Sequence, residues 1–185
     1  MITITFITGN PDKLRELKAV FPADVMLDYH TLELEEIQGD ADPRKITEHK
    51  LQEAYRILKR PVIVEDVSAG IESLHWLPGP FIKFFQQELG GDALYRLSKD
   101  PESDRVRAIC TMGYTDGTQT IIVEGVMKGS LSEPHGEGFG FDPVFVPDGY
   151  SNTLAELGED IKNTLSHRRL AADALVDALQ QAGIC

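Results

Sequence analysis

The chain predicts a mixed α/β protein, a central β-sheet with helices on its faces, and three observations carry that reading. Short apolar strands alternate with amphipathic helices early in the chain, an antiparallel hairpin signal follows around Asp116-Gly117, and 42% of the 185 residues are hydrophobic, enough for a real core. The length suits about one domain, or two small lobes sharing one sheet.

The elements read in order as follows. Ile2, Ile4 and Phe6 alternate with Thr3 and Thr5 and then meet Thr8-Gly9-Asn10-Pro11, a strand ending in a tight loop. Pro11 and Asp12 open a helix with Leu14, Leu17, Val20 and Phe21 at helical spacing, closed by Pro22. Val25–Leu27 is a second strand, and residues 43–59 form the clearest helix. Pro61-Val62-Ile63-Val64 is a buried strand that delivers Glu65 and Asp66 at its carboxyl end. Leu77-Pro78-Gly79-Pro80 turns into a helix over 81–89, and another spans 91–98. Residues 105–115 and 119–129 form the hairpin, and the stretch from Gly136 to Gly140 breaks regular structure. Ser166 caps a last helix that turns Leu170, Ala174, Leu175 and Ala178 inward.

Composition removes several classes of function. Eighteen Lys and Arg stand against thirty Asp and Glu, a formal charge of −12, and such a field repels nucleic-acid polymers and anionic membranes. It leaves room for a small anionic ligand in a local basic setting. Apolar runs are only a few residues long, so no membrane span is expected, and the first residues carry no basic leader. The two cysteines, Cys110 and Cys185, form no metal-binding pattern; Cys110 reads as a buried strand residue, and a reduced cytoplasmic setting fits.

Five places could carry chemistry. In Thr8-Gly9-Asn10-Pro11-Asp12-Lys13, a glycine permits close backbone approach, a helix N-terminus offers unpaired N–H groups and Lys13 adds charge. The loop reads as a phosphate cradle or as plain turn geometry. Glu65 and Asp66 are adjacent on a strand and so face opposite ways: one toward a site, as a hard oxygen ligand suited to Mg2+, the other toward a structural partner. A solvated strand end is the bland reading. Lys50 falls inside the apolar arc of helix 43–59, which calls for an anionic partner or a snorkelling stem. Phe139-Gly140-Phe141-Asp142 offers aromatics that stack on a planar base or merely fill core. Lys162, His167, Arg168 and Arg169 crowd the start of the last helix, where cations are unfavourable without an anion; they form a ligand clamp or a surface cluster.

Taken in order, TGNPDK (8–13), EIQG (36–39), EHK (48–50), VIVED (62–66), LPGPFIK (77–83), GFGFDPVF (138–145) and LAEL…KNTLSHR (154–168) resemble the inosine triphosphate pyrophosphatases, the Ham1-like family. The resemblance implies an elongated α/β fold of two lobes with a nucleotide cleft between them, a homodimer, and Mg2+-dependent hydrolysis of ITP, dITP and XTP to monophosphate and pyrophosphate. It implies that Thr8 to Lys13 and Lys50 bind the triphosphate, that Glu36 and Asp66 hold the metal, and that Asp66 is the general base. By the same resemblance Phe139, Gly140, Phe141 and Asp142 bind the base, with Phe141 replacing a tryptophan, while Lys162, His167 and Arg168 complete the nucleotide site.

Val67 departs from the family's Ser or Thr after the catalytic aspartate. Its backbone N–H replaces the lost hydroxyl, or Ser68 reaches in from a bulged turn, or activity falls. Two rival functions stand beside the first: a house-cleaning pyrophosphatase for modified pyrimidine nucleotides, and a non-hydrolysing nucleotide-binding regulatory protein.

Overall fold

The structure is a computed structural model and describes residues 2–34 and 42–185. Strand β1 (Ile2–Ile7) leads through the Thr8–Asn10 loop into helix α1 (Pro11–Lys18), and β2 (Val25–His30), α2 (Pro43–Leu58) and β3 (Val62–Ile71) follow. A two-residue strand β4 (Pro78–Gly79) precedes helices α3 (Ile82–Leu89) and α4 (Ala93–Leu97). The long hairpin is β5 (Arg105–Thr115) and β6 (Thr120–Leu131); β7 (Phe145–Pro147), α5 (Leu154–Leu165) and α6 (His167–Gln181) complete the chain. No helix among the described residues is long and apolar enough to cross a membrane.

The strands form one mixed sheet in the order β2-β1-β3-β5-β6-β7, with β4 paired to β3. β1 pairs parallel with both β2 and β3, whereas β4 on β3 and β7 on β6 are antiparallel. The chain therefore leaves β1 toward one side to make β2, then returns past it to make β3. The reversal places a topological switch point between β1 and β3, where ligands of open α/β sheets gather.

The hairpin turn follows its sequence signal. Asp116 Oδ1 accepts the N–H groups of Thr118 and Gln119 at 2.7 and 2.8 Å, and Gly117 sits at φ 89°, where a Cβ would strike the Tyr55 ring.

The chain packs as two compact units. The first holds the residues up to Asp66, with Cys110–Gly125 and His167–Cys185; the second holds Val67–Ile109 and Val126–Ser166. In the first, Leu51 and Ala54 of α2 pack on Val62 and Val64 of β3, joined by Ile7, Leu32, Leu34, Tyr55 and Leu58. In the second, Ile71, Ile82, Leu94, Val106, Phe141 and Phe145 belong to a larger apolar cluster.

Three expectations are corrected by the fold. The strand after Pro61 does not end at Glu65 and Asp66; β3 runs unbroken to Ile71, so the two carboxylates lie mid-strand. The last helix begins at His167 as expected, but its buried face is Ala171, Ala172, Leu175, Val176 and Leu179, with Leu170 40% exposed. Gly125 of β6 sets that phase, because a Cβ there would lie 2.1 Å from the His167 carbonyl oxygen and 2.2 Å from the Ala171 nitrogen. Third, α5 was not anticipated. Its N-terminus is a capping box: Thr153 Oγ1 accepts the Glu156 N–H at 3.3 Å and Glu156 Oε2 accepts the Thr153 N–H at 2.9 Å. The helix breaks at Gly158, φ 78°, which interrupts the apolar period that would announce it.

Candidate functional site

In the first unit, the register Thr5 to Val62 and Phe6 to Ile63 carries β3 past the end of β1. Glu65 and Asp66 thus come level with the Thr8–Asn10 loop at the switch point. Thr8 Oγ1 accepts the Asn10 N–H at 3.1 Å, the Thr8 carbonyl accepts from Thr31 Oγ1 at 3.3 Å, and Pro11 then opens α1. Gly9 lies outside the left-handed region, and among the described residues a Cβ there would meet the Thr31 side chain, Cγ2 at an ordinary 3.5 Å and Oγ1 at 3.9 Å. Among the described residues, neither strain nor crowding requires a glycine at that place.

Strand alternation then sorts the two carboxylates. Asp66 shares the Val62–Val64 face with α2, and Lys50 Nζ lies 2.9 Å from its Oδ1. The Lys50 side chain is 12% exposed, so the inward lysine has the anionic partner its position demanded. Glu65 points to the opposite face, where α1 and α6 meet it. Lys13 Nζ lies 2.5 Å from its Oε1, and Arg168 donates from Nε to Oε2 at 3.0 Å and from Nη2 to Oε1 at 3.3 Å. Arg168 Nη1 also donates to Glu16 at 2.9 Å. Burial opposes the Glu65 charge, but Arg168 and Lys13 outweigh it and hold its pKa down at about 2. The same carboxylates raise the pKa of Arg168 against its burial, so the guanidinium stays charged. Burial, and next Glu65, push the thiol of Cys110 on β5 far up.

The basic cluster at the start of the last helix is thereby explained in part by protein anions. Sequence reasoning noted that Glu65 or Asp66 would have a structural partner; it missed Glu16, whose only signal was its place one turn after Lys13. His167 is buried at the start of α6, and Arg169 pairs with Asp173 one turn on.

The second unit holds the rest. Asp142 is buried, accepts the Phe139 N–H at 3.2 Å and pairs with Lys162 of α5 at 2.5 Å. Gly140, φ 64°, keeps this turn tight against Gln86. The two aromatics differ from expectation: Phe141 is buried in the apolar cluster, its ring 5.8 Å from that of Phe145, while Phe139 is 74% exposed. The open aromatic face belongs to Phe139.

Val67 packs against the same apolar cluster, and no turn follows Asp66 from which Ser68 could reach; Ser68 is a buried strand residue. That leaves the main chain of Val67 as its polar part. Glu36 and the Asp12 side chain lie outside the described residues. Among the described residues no group of three or more His, Cys, Asp and Glu gathers.

Fold and site together define an open α/β protein with a glycine loop, two lysines and two carboxylates at its switch point. The chain belongs to the Ham1 family, whose model matches residues 4–178. It is 38% identical to the inosine triphosphate pyrophosphatase of Scheffersomyces stipitis, covering 97% of this chain and 98% of that one. The inosine triphosphate pyrophosphatase of Schizosaccharomyces pombe is 37% identical, with 96% and 95% covered. Among solved structures, the nucleoside-triphosphatase, dITP/XTP pyrophosphatase, of Mycobacterium abscessus superposes with a TM-score of 0.74 at 30% identity, over 95% of this chain and 99% of that one. A HAM1 protein from Coxiella burnetii shares the fold with a TM-score of 0.81 at 24% identity, over 98% of this chain and 100% of that one.

Proposed function

We propose that this chain is a nucleoside triphosphate pyrophosphohydrolase acting on the deaminated purine nucleotides ITP, dITP and XTP. One observation carries the reading: the glycine loop's Lys13 and the α2 lysine Lys50 meet adjacent residues of one strand, Glu65 and Asp66. Phosphate-binding backbone, cations and a candidate base thus converge at the switch point, and the relatives' pyrophosphatase names supply the reaction class.

The loop N–H groups and the α1 N-terminus receive phosphate oxygens, and Lys13 and Lys50 offset the charge on the departing pyrophosphate. Asp66 takes a proton from the attacking water as its oxygen bonds to the α-phosphorus and the bond to the bridging oxygen breaks. Water and ITP give IMP and pyrophosphate. Asp66 offers the hard carboxylate oxygen that Mg2+ prefers, and this ion takes one or two carboxylates beside water and substrate phosphates, so Asp66, with Glu36, would hold it. When bound it neutralises charge on the phosphate oxygens. Arg168, gripped by two carboxylates, presents fixed donors that reward a 6-oxo purine and are left unpaired opposite adenine's amino group. Phe139 supplies an open aromatic face of the kind that stacks on a base. The assembly is a homodimer, to be read by sedimentation.

Ion chromatography of the products from ITP is expected to show IMP and pyrophosphate; IDP and orthophosphate would overturn attack at the α-phosphorus. Asp66→Asn should lower turnover by about 10²–10⁴, the range of lost general-base catalysis. A panel of ITP, XTP, dUTP and 5-methyl-UTP separates this reading from a pyrimidine pyrophosphatase, which would prefer the last two.

A further inference from the structure

We infer that Glu65 is a positioning residue whose one carboxylate fixes Lys13 and Arg168 relative to each other, and so sets the spacing between the phosphate-holding group and the base-reading group. The inference rests on the function proposed above for those two cations.

The geometry is specific. Lys13 and Arg168 come from different helices at opposite ends of the chain, yet both meet the same carboxylate: Lys13 on Oε1, Arg168 on Oε2 through Nε and on Oε1 through Nη2. The Glu65 side chain is 3% exposed, so this is a buried charge with two cations on it rather than a surface pair. Glu65 also stands on the face of β3 opposite Asp66, so it cannot share the work of that carboxylate. A plain tie between helices and sheet would not need a charge, because apolar residues of similar volume hold a core as well as, or better than, a buried ion pair. What an apolar residue cannot do is set the direction of a guanidinium edge and an ammonium together. Glu16 grips Arg168 only at Nη1. Without the Glu65 charge the arginine keeps one anchor and loses the other, and Lys13 loses the partner seen in this structure's ion pair.

The experiment compares wild type, Glu65→Gln, Glu65→Asp, Lys13→Ala and the Lys13→Ala/Glu65→Gln double variant. Steady-state pyrophosphate release is measured from ITP and from GTP. Glu65→Gln is expected to raise KM for ITP about tenfold, to lower kcat as well because Lys13 also offsets charge on the departing pyrophosphate, and to narrow the preference for ITP over GTP. A merely structural role would lower the melting temperature and the active fraction while leaving KM and the preference alone, and that result overturns the inference. In the double variant the effect of Glu65→Gln should shrink, because Glu65 acts through Lys13; independent, multiplicative effects on KM also overturn it.

Glu65→Asp keeps the charge and shortens the arm by one methylene, which covers the case in which Glu65→Gln does not fold. A raised KM is expected, and a wild-type KM counts against positioning. Calorimetric titration with inorganic tripolyphosphate separates this inference from the reaction itself. If wild type binds tripolyphosphate but does not hydrolyse ITP, weaker binding by Glu65→Gln upholds the positioning role while the proposed function fails. If wild type hydrolyses ITP and Glu65→Gln matches it in KM and preference, the function stands and the positioning role falls. If wild type binds no tripolyphosphate, the positioning role falls too.

Discussion

Gly9 separates what the fold needs from what a ligand needs. Its backbone suits any residue and a methyl there meets Thr31 at ordinary contact distance, so the fold tolerates alanine. Gly9→Ala is expected to leave stability unchanged or raise it by about 0.5–1 kcal/mol, through a less flexible unfolded chain. Under the proposed function the same methyl would stand where phosphate oxygens approach the loop, and turnover of ITP should fall by about tenfold or more. Thermal unfolding and pyrophosphate release, measured on one preparation, check both halves; unchanged turnover would make the loop a simple turn. The cations read differently at this scale than in the sequence. Lys13, Lys50 and Arg168 in the first unit, and Lys162 in the second, each meet a protein carboxylate, so these cations are paired charges rather than a bare basic patch.

At the scale of elements, the site depends on strands that do more than the pattern announced. β3 continues past its two carboxylates to Ile71, and the alternation of its side chains, α2 on one face and α1 with α6 on the other, assigns each carboxylate its cation. Helix α6 reaches its place because Gly125 leaves no Cβ between β6 and the backbone at His167 and Ala171. Gly125→Ala must push the helix outward, and since backbone atoms cannot yield as a side-chain tip does, the expected cost is roughly 3 kcal/mol, the upper part of the overpacking range. Urea denaturation would register this. Arg168 rides on that helix, so KM for ITP should rise in the same variant. An unchanged midpoint would mean that β6 or α6 adjusts without strain.

Over the whole molecule, the acidic surplus has consequences for pH as well as for solubility. Burial opposes the charge of Asp104, but Ser98 and Ser73 donate hydrogen bonds to it at 2.5, 2.7 and 3.2 Å and hold its pKa below the usual carboxylate value of 3.8. Its contribution to stability is therefore complete above pH 3.8 and is lost as the pH falls from there toward the folded-state value. Asp104→Asn should cost about 1–3 kcal/mol at neutral pH, the worth of hydrogen bonds to a charged group, and should flatten the acid limb of the stability curve. Denaturant midpoints of both proteins between neutral and acid pH test this; parallel acid limbs would assign the acid sensitivity elsewhere.

The sequence by itself determined the α/β class, the β1–loop–α1 unit, helix α2 with its inward lysine, and the hairpin at Asp116-Gly117, because each is written in local periodicity, proline and glycine chemistry or a single turn. It also placed Lys13, Lys50, Asp66 and Arg168 among the candidates. Only the tertiary structure decided which carboxylate each cation meets, that Phe141 is core and Phe139 open, and which face of α6 is buried. Those outcomes turn on contacts between residues far apart in the chain, such as Arg168 with Glu65 and α6 with Gly125. Local pattern cannot encode them, since it fixes what an element presents but not what it is presented to.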